Sequence, residues 1–244
     1  MNGKGRFVLL CGLWVTITCY AADDQPVRNV TQLTGEVRLD GKLDEACYRN
    51  PPTVADFVVA GAPESRPQPT KAWLFWQPER LVFAFEVHDK QIVAAPPSKQ
   101  EHDVDAQDRV ELFLWSGDKH DTYYCVEVGA DAAVHDYAAR FYREFDDAWA
   151  PAGLQVAVTR TRSGYCVEAE LSRAAMEAAG FKLRAGEQLR CGLFRADFQP
   201  AQPDNPTWIC WVDAGRPKPD FHVAESFGQM RLLNETESKT LPRE

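Results

Sequence analysis

Between residues 34 and 233 the chain repeatedly sets a short run of β-branched, aromatic and aliphatic residues between clusters of Gly, Pro, Asp and Ser. Such a pattern leaves room for strands and turns and very little else. Residues 71–76 and 81–88 flank Gln77-Pro78-Glu79-Arg80 and read as a hairpin. Residues 109–115 and 122–128 repeat that logic, and 154–162 with 165–171 flank the turn Ser163-Gly164. Further strands are expected at 188–198, 207–212 and 229–233. Helix is expected in two places: one turn at 44–49, and 173–179, where Ser172 caps the start and Gly180 stops the end. Many antiparallel strands with so little helix define an all-β fold, an antiparallel sandwich of immunoglobulin or jelly-roll type with one short helix.

A chain of 244 residues that is 45% hydrophobic can bury one sizeable core, and all-β sandwiches of this length commonly form one domain. The net charge of −9, with no basic block, disfavours nucleic acid as a partner, because a phosphate backbone would be repelled. The first residues have the layout of a secretory signal: basic Lys4 and Arg6, an apolar run from Phe7 to Ile17, and small residues around Tyr20. That run of about 11 residues is too short to span a bilayer. The expected organisation is a signal peptide at 1–21, a polar leader at 22–33, one folded unit at 34–233 and a polar tail at 234–244. A secreted or periplasmic location follows from the signal.

Five cysteines lie beyond the signal: Cys47, Cys125, Cys166, Cys191 and Cys210. Most sit inside apolar runs, so buried free thiols are expected rather than a disulfide framework. The chain has no CxxC, HExxH or GxSxG spacing and no phosphate-binding loop, so catalysis lacks a motif. The strand carboxylates Glu86, Glu111, Glu127, Glu168 and Glu170 alternate with apolar residues, and most of them are expected to face solvent.

Leu39-Asp40-Gly41-Lys42-Leu43-Asp44-Glu45 is similar to the opening motif of carbohydrate-binding module family 9, and Leu81 to Asp89 to that family's hairpin ending in V-x-D. Asp108-Arg109-Val110-Glu111-Leu112-Phe113 resembles its D-x-V-E-I/L-F strand, and Gly164-Tyr165-Cys166-Val167-Glu168 its G-Y-x-V-E strand. Trp211, Asp220-Phe221-His222 and Phe227-Gly228 resemble its closing signature. The five pieces occur in family order.

The resemblance implies a non-catalytic sandwich that holds a mono- or oligosaccharide between two aromatic rings, and a glycan-active enzyme as a partner on a separate chain. It assigns Glu111 as a hydroxyl acceptor and Phe221 as one stacking ring, with Trp211, Trp208 and Asp197 nearby. The second ring would fall near Asp105, which cannot stack; Trp149 or Trp208 could replace it, or could simply anchor loops. The resemblance also implies structural calcium. Asp103, Asp105 and Asp108 are the oxygen candidates, with a solvated acidic loop as the competing reading. A second class of function is a sandwich that has lost sugar binding and serves as an interaction or haem module. Its axial ligands would come from His88, His102, His120, His135, His222, Met176 and Met230.

Overall fold

The structure is a computed structural model that describes residues 25–94, 101–117 and 121–240. The stretch expected to be a signal peptide and His120 lie outside the described residues. Strands β1 (Val27–Gln32), β2 (Val58–Val59), β3 (Thr70–Gln77) and β4 (Arg80–His88) are followed by β5 (Arg109–Trp115) and β6 (Thr122–Gly129). Then come β7 (Val134–Arg140), β8 (Glu144–Asp146), β9 (Gln155–Arg160), β10 (Gly164–Ser172) and helix α1 (Arg173–Ala178). Strands β11 (Gln188–Gln199), β12 (Gln202–Cys210) and β13 (Gly228–Leu233) precede helix α2 (Glu235–Thr240).

The strands join in one ladder, β8-β7-β6-β5-β11-β13-β1-β3-β4-β10-β9, with β12 branching from β11 and pairing β2. Val110, Leu112 and Leu114 of β5, Val126 and Val128 of β6 and Leu193 of β11 share one core with Leu74, Leu81, Phe83, Phe85, Val167 and Ala169 of β3, β4 and β10. The ladder therefore curls until its two halves face each other as a sandwich, with β13 and β1 joining them. The three expected hairpins form, pairing Lys71 with Glu86, Arg109 with Gly129 and Tyr165 with Arg160. One departure from a purely antiparallel sheet is β1, which runs parallel to both β13 and β3. A crossover between parallel strands needs a long connection, and the segment between β1 and β3 supplies it.

The outer faces are covered as well. Phe113, Tyr123, Cys125, Tyr137, Phe194, Phe221 and Phe227 pack on the far side of the β5-β6-β11 half. Trp73, Phe75, Val82 and Ala84 pack with Leu33, Val37 and Tyr48 outside β3 and β4. With both faces covered, every residue of β5 is buried. This corrects the expectation for the strand carboxylates: Glu111, Glu127, Glu168 and Glu170 are buried, while Glu86 is partly exposed.

Glu168 shows how one such carboxylate is satisfied. Its Oε2 accepts from the backbone N–H of Asp40 at 3.1 Å and of Gly41 at 2.7 Å, and its Oε1 from the Tyr48 hydroxyl at 2.9 Å. The opening turn is thereby fastened to β10. Gly41 has φ +75 there, and a Cβ would stand 2.7 Å from the Thr159 nitrogen, so no larger residue fits.

Two flanking segments differ from expectation. The segment read as a polar leader contributes β1, whose Val30 is fully buried, because insertion between two strands supplies ladder partners that no local pattern reveals. The tail contributes α2, opened by a reciprocal cap in which Asn234 Oδ1 accepts from Glu237 N–H and Glu237 Oε2 from Asn234 N–H, both at 2.9 Å. Ser172 caps α1 as expected, accepting from Ala175 N–H at 3.2 Å. Cys47, Cys125, Cys166, Cys191 and Cys210 are free thiols, and all but Cys47 are buried. Among the described residues no helix is long and apolar enough to cross a membrane.

Candidate functional site

A cavity of about 380 Å³ opens on the outer face of the β5-β6-β7 half. Register builds its floor. Glu111 lies opposite Phe194 of β11 and Glu127 of β6, and Glu127 lies opposite His135 of β7, so four side chains form one row across four strands. Arg109, two residues before Glu111, shares its face by the strand's period of two. The turn at 101–106 brings His102 and Asp105 to one wall, while Trp208 of β12 and Phe221 form another. Phe145, half exposed, and Arg143 stand at the mouth.

The floor is strongly charged and almost fully buried. Arg109 Nε is 2.9 Å from Glu111 Oε1 and 2.7 Å from Glu127 Oε2, and only the first contact is aligned as a hydrogen bond. The Tyr137 hydroxyl donates to Glu127 Oε1 at 2.7 Å. One guanidinium thus serves two buried carboxylates. Burial and the neighbouring Glu127 charge push the Glu111 carboxyl well above the usual carboxylate range, against the pull of Arg109.

At one wall Asp105 accepts from both imidazoles, 2.9 Å from His135 Nδ1 and 3.2 Å from His102 Nδ1. Burial pulls the His135 imidazole down, but the Asp105 hydrogen bond and the Glu127 charge outweigh it, so its pKa lies above the ordinary value. For Asp105 burial acts upward and the two histidines outweigh it, so that carboxyl is held low. On the opposite side Arg143 Nη2 pairs with Asp220 Oδ1 at 2.8 Å, and the Tyr142 hydroxyl donates to Asp220 Oδ2 at 2.7 Å. His222 Nδ1 and the Tyr123 hydroxyl are hydrogen-bonded at 2.9 Å. Burial and the Arg143 charge hold its imidazole down at about 4, against the pull of Asp220.

The chain matches the family model described as carbohydrate family 9 binding domain-like over residues 39–235. It belongs to this family. Comparison with curated proteins returned no match. Among solved structures, a family 9 module from Caldicellulosiruptor kristjanssonii in complex with cellotriose superposes with a TM-score of 0.62 at 16% identity, covering 89% of this chain and 98% of that one. A family 9 module from the same organism in complex with glucose gives a TM-score of 0.60 at 16% identity, with coverage of 86% and 97%. A Bacteroides uniformis structure gives 0.62 at 13% identity, with coverage of 85% and 99%. At such identities the likeness speaks for the fold.

Of the residues expected at the family 9 site, the cavity gathers Glu111, Phe221 and Trp208. Phe221 is itself buried, stacked on Phe194 with centroids 4.1 Å apart and planes at 12°. Trp211 and Asp197 lie elsewhere. Alternation explains both: Trp208 and Cys210 face the outer cluster, whereas Ile209 and Trp211 enter the central core. Asp197 follows Leu193 and Arg195 on the inner face of β11, where Arg195 holds it at 3.2 Å. Trp149 packs on Tyr124 with centroids 5.0 Å apart and anchors its loop.

The acidic residues of the 101–108 loop do not converge as a calcium cage. Asp103 is exposed, Asp105 is held by the two histidines, and Asp108 turns inward to accept from Val93 and Phe198 N–H at 2.5 and 2.6 Å. The oxygens that do converge belong to Asp89, Asp108 and Asp197. Arg195 Nη2 already stands 3.0 Å from Asp89 and 3.2 Å from Asp197, so an internal cation fills that oxygen set. For the haem alternative, Met176 and Met230 are buried in the central core, away from the cavity-lining His102, His135 and His222.

Arg109, Glu127, His135, Tyr137 and Phe145 join the site without having been assigned to it from sequence. The available signal was the pairing of the β5 and β6 hairpin, which sets Glu127 opposite Glu111. Strand β7 had none strong enough, since His135, Asp136 and Arg140 dilute its alternation.

Proposed function

We propose that the chain binds a carbohydrate in this cavity without transforming it. The observation that carries the reading is the meeting, in one 380 Å³ cavity, of the partly exposed Trp208 and Phe145 rings with fixed charged groups. Sugar C–H faces pack on aromatic rings, and sugar hydroxyls need acceptors and donors held at set positions. Asp220, Arg143 and the Arg109–Glu111 pair offer these, and Trp208 takes the part of the ring missing at Asp105. Family membership and the cellotriose and glucose complexes of C. kristjanssonii modules support a small glucose-type sugar as ligand.

The carboxylate arrangement supports a role without catalysis. A glycosidase pair flanks the scissile bond, with one group kept as acid and the other as base or nucleophile. Glu111 and Glu127 instead sit side by side on neighbouring strands, both bound to Arg109. The N-terminal signal layout puts the protein outside the cytoplasm on this reading, and its partner beyond the glycan is a separate glycan-active enzyme.

Isothermal titration with glucose, cellobiose and cellotriose tests the reading. Saturable heat that falls at least about tenfold in affinity on Trp208→Ala is expected. Absence of heat with all three sugars overturns it.

A further inference from the structure

At the mouth of the cavity two imidazoles and a carboxylate converge. His102 Nε2 is 3.4 Å from Asp147 Oδ2, and His135 Nε2 is 3.8 Å from Asp147 Oδ1. All three ligand atoms lie within 4.8 Å of one another. The two rings meet edge to face with centroids 4.5 Å apart.

These separations are too long for good hydrogen bonds. They suit a shared ion. Ligand atoms held about 2.0–2.1 Å from a tetrahedral zinc ion stand roughly 3.3 Å apart. His102 and Asp147 are already near that spacing, and Asp147, half exposed, can close the remaining gap to His135.

A second observation points the same way. His135 is 5% exposed, and its Nε2, which faces the cluster, has no hydrogen-bond partner among the described residues. A buried imidazole nitrogen left unpaired is costly, and such atoms call for an explanation. The other nitrogen of each ring is accounted for. Asp105 accepts from His135 Nδ1 at 2.9 Å and from His102 Nδ1 at 3.2 Å. With Nδ1–H donating to a carboxylate, each ring turns an Nε2 lone pair toward Asp147. That is how a carboxylate orients metal-binding imidazoles from behind.

We infer that His102, His135 and Asp147 form a binding site for a divalent transition-metal ion of the zinc class, with Asp105 as the positioning residue for both imidazoles. Two imidazole donors select zinc, copper or nickel over calcium, whose ligands are oxygens. Three protein ligands leave a fourth position for water. The site stands on its own geometry and does not rest on the carbohydrate reading.

The test uses the full chain, freed of any polyhistidine tag and stripped with a chelator, titrated with zinc chloride and, for its absorption spectrum, with cobalt(II). One equivalent of zinc should bind, and His102→Ala and Asp147→Ala should each weaken it at least about tenfold. Both side chains are more than half exposed, so metal-free melting temperatures should stay unchanged. Asp105→Asn keeps all three ligands and should still weaken zinc by roughly 10- to 100-fold. His88→Ala, outside the cluster, should leave zinc binding intact. The inference is overturned if the wild-type chain fails to bind zinc at micromolar concentration, if His102→Ala and Asp147→Ala bind it as well as wild type, or if calcium displaces it at equal concentration.

Discussion

The indole of Trp208 stands edge-on to the ring of Phe221, centroids 5.5 Å apart and planes at 87°, while Phe221 lies flat on Phe194. The two aromatics at one wall therefore have different tasks. Trp208 is partly exposed and also carries the Arg109 guanidinium 5.5 Å from its centroid, whereas Phe221 belongs to the outer core cluster. Trp208→Ala should weaken sugar at least about tenfold, roughly 1.4–3 kcal/mol, with little loss of stability. Phe221→Ala should destabilise the fold by about 3–5 kcal/mol, as for other buried Phe truncations. Calorimetric titration alongside urea unfolding separates the two effects.

Arg109 compensates two buried carboxylates, so it and Glu111 should respond unequally to substitution. Arg109→Met strands Glu111 and Glu127 together and should cost about 3–5 kcal/mol. Glu111→Gln keeps an acceptor for Arg109 and should cost about 1 kcal/mol or less at neutral pH. Because the Glu111 carboxyl is raised, the unfolded chain loses this proton at a lower pH than the native one does. Wild-type stability therefore falls as pH rises above the ordinary carboxylate range, and Glu111→Gln should gain relative to wild type over that interval. Urea midpoints measured from pH 4 upward check the sign.

His222 has the opposite slope. Its imidazole is held at about 4, below the ordinary value of about 6.5, so the unfolded chain takes up the proton first as pH falls. The stability associated with a neutral His222 is complete above pH 6.5 and gone below about pH 4, a span worth about 3 kcal/mol. His222→Asn, which keeps a hydrogen-bonding group for the Tyr123 hydroxyl, should show a shallower loss of stability between those limits. Thermal or urea unfolding of the two proteins at matched pH values measures the difference.

Glu168 should be the most sensitive strand carboxylate for folding, although it is remote from the cavity. Glu168→Ala leaves the Asp40 and Gly41 amides and the Tyr48 hydroxyl without their acceptor, at a cost of about 3 kcal/mol or more. Gly41→Ala should destabilise as well, since it combines a left-handed backbone with a clash against β9. Sugar affinity of the folded fraction should be unchanged in both variants, as read by titration corrected for folded population.

Much of the fold is legible in the chain itself. The hairpins at β3-β4, β5-β6 and β9-β10 follow from alternating apolar runs and tight turns, and the Ser172 cap follows from a local hydrogen bond. Glu111, Trp208 and Phe221, expected together from their place in the family's motifs and the loops around them, do line one cavity. Strand β1 was not legible, because its neighbours β13 and β3 are distant in sequence and polar Arg28 and Asn29 interrupt its apolar signal. Strand β7 was missed for a similar reason, and with it the site's His135 and Tyr137.

Local sequence therefore determined where strands and turns lie, because a period of two and turn chemistry act over a few residues. Which face each strand side chain serves was decided by the tertiary structure. Covering both sides of β5 turned expected surface carboxylates into a buried row, and alternation sent Trp211 and Asp197 inward while leaving Trp208 at the cavity. The meeting of His102, His135 and Asp147 belongs to the same level: the turn at 101–106 and the residue after β8 reach the β7 imidazole only when the turn packs against β7 and β8 pairs with it.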